Sequence, residues 1–463
     1  MSIFDLFKKK NAENAETTET KSNHYLSGKE VRAIARENAK TMRELEKKKK
    51  MKLPESAFTT QMKDEKNILE VEDLHSYFFT DQGVVKAVNG VSFNIPQGAT
   101  VGVVGESGCG KSITSMSIMR LLQGPQGQIV SGSIRFKSSS FKLDEKGKPI
   151  PIYVRDENGE IVQEPVLTKK GVQKVDKQGN PVFRNKQATD QYGTKLFEME
   201  EKVYDIAKMP IKEMYRLRGR QLAMIFQEPM TSLNPVFTIG NQLDEVTLTH
   251  FPEASGEDAK RKSIEMLKLV GIAMPERVYA SYPHELSGGM RQRVMIAMAL
   301  AGDPRLIIAD EPTTALDVTI QAQILDLLRD LKTRINGSIL LITHDLGIIA
   351  EMADFVVVMY AGRIIECGTA REIFHNPLHP YTKGLQKSKP RMDMTGEQLF
   401  SIPGNVPNPV NMPNYCYFRE RCSQCTARCK GEYPHMIQVS PTHQVACYLY
   451  DETPVEEATD GEV

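Results

Sequence analysis

The chain lacks any long apolar run and any net charge. None of its apolar stretches approaches the roughly 20 residues that a helix needs to cross a bilayer, and the apolar part of the opening segment MSIFDLFKKK is too short for a signal-peptide core. Lys and Arg together number 59, as do Asp and Glu, so no overall positive field attracts the chain to nucleic acid. We therefore expect a cytoplasmic globular protein, long enough at 463 residues for two or three folding units.

Cysteine is also scarce, with seven residues in the whole chain, yet four of them fall in the segment CYFRERCSQCTARC at 416–429. A disulfide, a zinc site, an iron–sulfur cluster or four idle thiols could account for them. A reducing cytoplasm disfavours the disulfide, and the other three alternatives stay open.

Residues 1–66 are charged and poor in large apolar side chains, so we expect them to be partly helical or disordered rather than an independent core. Ser27 followed by Glu30 is typical of a capping box, and a thin apolar stripe predicts a helix from there to the lysine run Lys47–Lys50. We interpret this segment as a solvated helix, with a membrane anchor through the opening IFDLF as the weaker alternative.

A compact domain is predicted from residue 67, where ILEVEDL and VVKAVNGVSFNI alternate like half-buried strands and Asn89-Gly90 predicts a turn. Residues 138–205 repeat D-x-x-G three times between short β-rich runs, which predicts an insertion of small hairpins. The predicted units, in chain order, are the extension 1–66, the main domain 67–390 with a helical subdomain at about 228–305, a cysteine-rich part 391–450 and an acidic, disordered tail 451–463.

A glycine-rich segment, GESGCGKS, lies between an apolar strand and a predicted helix and satisfies G-x-x-x-x-G-K-[ST]. Its glycines let backbone N–H groups surround phosphate oxygens, Lys111 offsets the charge of the β- and γ-phosphates, and the Ser112 hydroxyl can ligate Mg²⁺. The predicted phosphate-loop residues are Gly105, Glu106, Ser107, Gly108, Cys109, Gly110, Lys111 and Ser112.

A second apolar strand, RLIIAD, ends in the carboxylates Asp310 and Glu311. This pattern is expected where one carboxylate holds Mg²⁺ indirectly and its neighbour polarises the attacking water. The two acids therefore complement the phosphate loop.

Four further motifs complete a pattern that resembles the ABC-type ATPases: ELSGGMRQR at 285–293, Gln227 in IFQEP, ALD at 315–317 and His344 in LITHD. The resemblance implies an α/β P-loop NTPase core with an antiparallel β subdomain and a helical subdomain, to which the hairpin insertion and a small cysteine-rich C-terminal domain are added. It also implies that two ATPase domains pair head to tail. The signature of one, here Ser287, Gly288 and Gly289, then covers the nucleotide held by the phosphate loop of the other.

The same resemblance implies a role for each remaining motif residue. Glu311 is the expected general base, His344 the contact to the γ-phosphate, and Gln227 the sensor of Mg²⁺ and the attacking water. Asp317 belongs to the expected D-loop, and Mg²⁺ is expected to be held through Ser112, Gln227 and Asp310. Phe78 is the expected stacking partner of adenine, although Tyr77 and Phe79 flank it and a core aromatic is the alternative.

Three more segments, QEPMTSLNP, NPLHPYTKGL and the terminal IPGNVPNP with its cysteines, resemble the ATP-binding subunits of oligopeptide and dipeptide importers. The likeness covers about 67–137 and 206–450. It implies a second ATPase subunit in a heterodimer, two transmembrane permease subunits and, indirectly, an extracellular peptide-binding protein, with this chain peripheral at the cytoplasmic face of the membrane and without nucleic acid. Relatives that carry nickel or other solutes leave the cargo open. A soluble ABC ATPase of translation or DNA maintenance is the alternative function.

Cys416, Cys422, Cys429 and Cys447 follow the cysteine spacing of this importer family, whereas Cys425 is an additional thiol. Zinc and a [4Fe–4S] cluster both accept four cysteine ligands. The resemblance favours iron–sulfur, with zinc and idle thiols as alternatives. A metal would close a loop too poor in apolar residues to fold by itself, which implies a structural role.

Overall fold

A computed structural model describes most of the chain between residues 27 and 451. The described segments are 27–142, 144–145, 148–168, 172–176, 178–189, 196–227, 232–251, 254–314, 317–334, 337–388 and 400–451. The predictions for the N-terminal apolar segment and the acidic tail lie outside these residues. In the described part of the chain, no helix is long and apolar enough to cross a membrane.

A mixed sheet of eight strands forms the centre of the molecule. Its inner strands run parallel and are buried along their whole length, which explains why the sequence reads there as continuous apolar runs. In spatial order the strands are β14 (Ile437–Gln438), β15 (Gln444–Val445), β13 (Arg363–Thr369), β12 (Phe355–Tyr360), β4 (Thr100–Val104), β11 (Ser338–Ile342), β10 (Leu306–Asp310) and β9 (Leu222–Ile225).

The N-terminal part of the main domain contains an antiparallel sheet of five strands. Its spatial order is β1 (Thr59–Thr60), β8 (Met199–Asp205), β5 (Gly127–Phe141), β2 (Asn67–Thr80) and β3 (Gly83–Pro96). The predicted turn at Asn89-Gly90 is wrong, because β3 passes through both residues and the chain reverses instead between Thr80 and Gly83. Gly90 has a φ of 81°, so the glycine marks an irregularity inside the strand.

Eleven labelled helices complete the described part of the chain. They are α1 (Gly28–Lys50), α2 (Lys111–Ile118), α3 (Ile211–Met214), α4 (Ile239–His250), α5 (Gly256–Leu269), α6 (Pro275–Ala280), α7 (Gly288–Leu300), α8 (Val318–Arg334), α9 (Leu346–Met352), α10 (Ala370–His375) and α11 (Pro380–Lys387). Helices α4 to α7 pack together within the segment expected to be helical.

Helix α1 has the capping box that the sequence predicts, between Ser27 and Glu30. The helix is not merely solvated. The side-chain amide of Asn38 is buried and donates to the Thr80 carbonyl at 2.7 Å, and Glu46 accepts a hydrogen bond from Gln128 at 2.6 Å. These bonds hold α1 against the antiparallel sheet.

The insertion is narrower than predicted, because residues 138–141 and 199–205 belong to the sheet, where Arg135–Phe141 pair with Met199–Asp205. Between β5 and β8, the short strands β6 (Gln163–Pro165) and β7 (Phe183–Asn185) pair with each other, and three segments of chain close rings of backbone hydrogen bonds. In one ring Lys142 donates to Glu198, Glu198 to Ile150 and Ile150 to Lys142, at 2.8–3.0 Å. The described turns have the left-handed glycines that the pattern predicts, with φ of 83° at Gly159 and 86° at Gly179.

The cysteine-rich part packs into the main core and is not a separate domain. Met412, Tyr417 and Phe418 belong to the hydrophobic cluster that includes the central strands, and β15 pairs with β13 at the edge of the eight-stranded sheet. The expected small C-terminal domain is therefore not confirmed, because this region completes the main hydrophobic core instead of burying a core of its own.

Candidate functional site

The phosphate loop lies between β4 and α2, as predicted. Two of its glycines are required by close contacts. A Cβ on Gly105 would lie 2.3 Å from the Met359 carbonyl oxygen, and one on Gly110 would lie 2.3 Å from that of Ala87. Gly110 caps α2 with a φ of 102°. The loop can therefore pass close to neighbouring backbone and direct its N–H groups toward an anion at the start of the helix.

The polar side chains of the loop meet the end of β10. Ser112 Oγ lies 3.0 Å from Asp310 Oδ1, and Ser115 Oγ lies 3.1 Å from Asp310 Oδ2. The ammonium of Lys111 donates to the Gly105 carbonyl at 2.8 Å. Burial raises the pKa of Asp310 above its ordinary value, although the hydroxyls of Ser112 and Ser115 oppose this. Sequence reasoning had not identified Ser115, which lies one helical turn after the motif.

Glu311 is the centre of the second polar group. Its carboxylate accepts hydrogen bonds of 2.9 Å from Gln227 Nε2 and from Thr314 Oγ1, and lies 3.3 Å from His344 Nδ1. The backbone of Glu311 has a φ of 47°, an uncommon conformation for a residue other than glycine. Three residues that are 84, 33 and 3 positions away in the sequence thus meet one carboxylate. Thr314 is a member that the motif analysis missed.

The three neighbouring aromatic residues of β2 have different surroundings. Phe79 is buried in the core at 4% exposure, and the hydroxyl of Tyr77 is bonded to Asn89 at 2.9 Å. Phe78 is half-buried, and a Cβ on Gly127 would lie 2.9 Å from its ring. Phe78 shares its strand face with Ser76, whose hydroxyl lies 2.7 Å from that of Ser117 on α2. Of these three aromatic residues, Phe78 is therefore the one that lies on the face of β2 toward α2 and is not fully buried.

The signature residues lie at the start of α7, where Ser287 caps the helix and accepts from the Met290 N–H at 3.3 Å. Ser287 and Gly288 are exposed. Among the described residues, no hydrogen bond joins the signature to the phosphate loop of the same chain. Gln292 on α7 instead donates to the Pro312 carbonyl at 2.6 Å, which ties the signature helix to the segment after Glu311.

Asp317 is exposed and accepts a hydrogen bond of 2.9 Å from the Ile320 N–H at the start of α8. The two residues before it in the expected D-loop, 315 and 316, lie outside the described residues, as do 228–231 after Gln227. The described chain therefore stops at Gln227 in one loop and resumes at Asp317 in the other.

Cys416, Cys422, Cys429 and Cys447 line one cavity together with His379. Cys425 is exposed and does not line it. Burial raises the pKa of Cys416 to about 12, and the charges of the other three cavity cysteines add to the effect. In the described part of the chain, no group of three or more His, Cys, Asp or Glu side chains converges closely enough to hold a metal ion.

Two residues of the C-terminal half contact the phosphate loop without having been predicted as site residues. The Glu106 N–H donates to the Tyr381 hydroxyl at 2.8 Å, and Arg421 lies 3.0 Å from the Glu106 carboxylate. Tyr381 lies in the segment NPLHPYTKGL and Arg421 directly precedes Cys422. Both residues therefore belong to motifs of the importer family, but the sequence did not predict that either contacts the phosphate loop.

Comparison with known proteins finds two family matches. The family described as "ABC transporter" matches residues 88–209 and 185–314, and "Oligopeptide/dipeptide transporter, C-terminal region" matches 365–429. The oligopeptide transport ATP-binding protein AppD of Bacillus subtilis is 41% identical over 391 residues, which are 84% of this chain and 99% of that protein. Its OppD counterpart is 43% identical over 82% of this chain and 88% of that protein. The dipeptide transport ATP-binding protein DppD is 40% identical over 83% and 95%.

Proposed function

The chain belongs to the ATP-binding subunits of the oligopeptide and dipeptide ABC transporters, and from this premise we propose that it hydrolyses ATP to power peptide import. The observation that carries the proposal is the meeting of two polar groups at the ends of β4 and β10. One joins Ser112 to Asp310, and the other joins Gln227 and His344 to Glu311.

The oxygen-rich pair of Ser112 and Asp310 fits Mg²⁺, because hydroxyl and carboxylate oxygens are the ligands that this hard cation prefers. When bound, Mg²⁺ neutralises charge on the β- and γ-phosphates. The Ser112 hydroxyl would hold the ion, and Asp310 would orient that hydroxyl and accept bonds from water. Lys111 and the loop N–H groups would bind the phosphates, while Phe78 would stack on adenine.

Glu311 is proposed to take the proton from the attacking water. The amide of Gln227 donates to Glu311 and would orient that water and sense Mg²⁺, and His344, which lies 3.3 Å from Glu311, would contact the γ-phosphate. Gln227 and Thr314 both donate to Oε2 of Glu311, so the carboxylate is oriented before substrate arrives.

The signature of Ser287, Gly288 and Gly289, whose first two residues are exposed, supports a second ATPase subunit as partner. A helix N-terminus with a small hydroxyl and bare backbone can approach a γ-phosphate closely. We propose a heterodimer in which this surface, with Asp317 beside it, covers the nucleotide of the other subunit. Since Gln292 connects α7 to the Pro312 carbonyl, closure of the dimer would be transmitted to the segment that carries Glu311.

We further propose that two transmembrane permease subunits bind this dimer at the cytoplasmic face of the membrane and that an extracellular binding protein delivers the peptide. The curated relatives are transport ATP-binding proteins by name, which supports the importer over a soluble ATPase of translation or DNA maintenance. Purification of the tagged chain from detergent-solubilised membranes is expected to recover two permeases and a second ATPase. Recovery of ribosomes or DNA in place of permeases would overturn the proposal.

A [4Fe–4S] cluster is proposed at the four-cysteine cavity. Cys416, Cys422, Cys429 and Cys447 line one cavity, and their spacing in the sequence resembles that of the importer family. A [4Fe–4S] cluster takes four cysteine thiolates as ligands. The N–H and hydroxyl of Thr426, each 3.5 Å from Cys429 Sγ, could donate to a bound thiolate. Cys416, Cys422, Cys429 and Cys447 would be its ligands, and the cluster would hold the C-terminal region against the core.

The insertion between β5 and β8 is proposed to be an outgrowth that the ATP site does not need. Its rings of hydrogen bonds are closed within 142–198, and several of its apolar side chains are exposed, including Leu167 at 58% and Phe183 at 50%. Replacing 142–198 with a two-residue Asn-Gly turn is expected to leave the dissociation constant for ATP within about twofold, because Phe141 and Met199 already face each other as strand partners.

Titration with a fluorescent ATP analogue measures this effect, and circular dichroism reports whether the shortened chain is folded. A matched control replaces only the turn 156–159 with Gly-Ser residues and keeps the rest of the outgrowth. Loss of the folded state in the 142–198 replacement but not in the control would show that the outgrowth is part of the core.

A further inference from the structure

Glu106, the second residue of the phosphate loop, is held by two groups from outside the ATP-binding motifs. Its N–H donates to the Tyr381 hydroxyl at 2.8 Å, and its carboxylate lies 3.0 Å from Arg421 Nη1. Tyr381 belongs to α11 and is fully buried. The conformation of the loop is therefore set partly by residues more than 270 positions away, since the two bonds span 275 and 315 positions.

Arg421 is itself fixed before it reaches Glu106. Its side chain is only 6% exposed. Its Nε donates to the Pro403 carbonyl at 2.9 Å and its Nη2 to the Ile402 carbonyl at 3.3 Å, while Nη1 also lies 3.4 Å from the Tyr360 hydroxyl. A buried guanidinium in contact with a carboxylate makes a stronger and better oriented hydrogen bond than a neutral donor.

The charge of Glu106 would otherwise oppose substrate binding, because it has the same sign as the phosphates that the loop must hold. Arg421 neutralises that carboxylate from a buried position, which reduces screening of the pair by water, since the Arg421 side chain is 6% exposed and that of Glu106 is 29% exposed. Arg421 also lies next to Cys422, one of the cavity cysteines. The cysteine-rich region thus supplies the countercharge for the phosphate loop.

We propose that Arg421 is a positioning residue for ATP binding: held by the cysteine-rich region, it neutralises Glu106 and, with Tyr381, keeps the phosphate loop in its binding conformation. This inference rests on the proposed ATP-binding function. It assigns the C-terminal region a direct part in nucleotide affinity, beyond the structural role of its cysteines.

The test measures binding of a fluorescent ATP analogue to the assembled transporter. Arg421→Met is expected to raise the dissociation constant about tenfold, which lies within the usual range of coupling between sites. The KM for ATP is expected to rise, whereas kcat at saturating ATP stays near the parental value because Glu311 and His344 are untouched. Tyr381→Phe, which removes only one hydroxyl, is expected to raise the dissociation constant as well, by a smaller factor.

The second step separates a charge effect from a loss of folding. Adding Glu106→Gln to Arg421→Met is expected to restore most of the affinity, because the uncompensated carboxylate is gone, and an unfolded region would not be rescued in this way. Arg419→Met is the control, since Arg419 lies two residues away and pairs with the exposed Glu420 at 3.6 Å. It is expected to bind ATP as the parent does.

Parental affinity in Arg421→Met, or no recovery in the double variant, would overturn the inference. Failure of the parent and of Arg419→Met to bind ATP would instead contradict the proposed function. The two failures are therefore distinguishable within one set of titrations.

Discussion

Glu311→Gln is expected to lower ATP hydrolysis by the assembled transporter about 10²–10⁴-fold while leaving ATP bound. The amide has the shape of the carboxylate but cannot accept the proton of the attacking water. In the structure the carboxylate accepts bonds from Gln227 and Thr314 and lies 3.3 Å from His344, and an amide oxygen in its place can still accept the bonds from Gln227 and Thr314. The measurement is phosphate release at saturating ATP, together with the dissociation constant for ATP.

Lys111→Ala separates loss of chemistry from loss of binding. Because Lys111 offsets phosphate charge and its ammonium lies against the loop carbonyls of Gly105 and Glu106, this variant is expected to weaken ATP binding itself. Glu351→Gln is a matched control, since Glu351 is an exposed carboxylate on α9 that pairs with Arg329. It should hydrolyse ATP at the parental rate.

The assignment of Glu311 depends on the difference between these variants. Hydrolysis at the parental rate by Glu311→Gln would mean that another group takes the proton. A parallel loss of ATP binding in Glu311→Gln would place the residue in binding and not in proton transfer.

Cys447→Ser is expected to remove the iron and the colour of anaerobically purified protein, whereas Cys425→Ser keeps both. The parent should be brown, with broad absorption in the visible blue, because thiolate-bound iron absorbs there. Cys447 lines the cavity, whereas Cys425 is exposed outside it. The two substitutions make the same chemical change, but only Cys447→Ser is expected to remove a ligand of the cluster. Iron and acid-labile sulfide are measured together with the visible spectrum.

This experiment also distinguishes the alternatives for the four cysteines. A colourless parent with one zinc ion per chain would identify a zinc site. A parent with neither iron nor zinc would leave them as idle thiols. Loss of colour in Cys425→Ser would contradict the assignment of the four ligands.

Local sequence was sufficient for the phosphate loop and the helix cap at Ser27. The loop needs glycines where backbone approaches backbone, as at Gly105 and Gly110, and that requirement is visible as a spacing of residues along the chain. The capping box likewise joins residues three positions apart. Interactions of this kind join residues that are close together in the sequence, so the residue pattern alone predicts them.

Local sequence was misleading where contacts between residues far apart in the chain determine the backbone conformation. Asn89-Gly90 has the composition of a turn, but β3 continues through it because Asn89 is bonded to Tyr77, Tyr417 and the Gly362 carbonyl. The edges of the insertion were also misplaced, since 199–205 is a strand that pairs with β5 on one side and β1 on the other. Strand pairing depends on a distant partner, which local propensity does not contain.

The sequence by itself determined the family, the phosphate loop, the carboxylates at the end of β10 and the grouping of four cysteines, because each is a short motif with fixed spacing. Only the tertiary structure decided that the cysteine-rich region shares the ATPase core and that Arg421 and Tyr381 reach Glu106. Both contacts join residues far apart in the chain, and an ion pair between buried Arg421 and partly exposed Glu106 forms only when β13, α11 and the C-terminal segment pack around the end of β4. Packing of distant segments therefore connects two motifs that the sequence presents as separate.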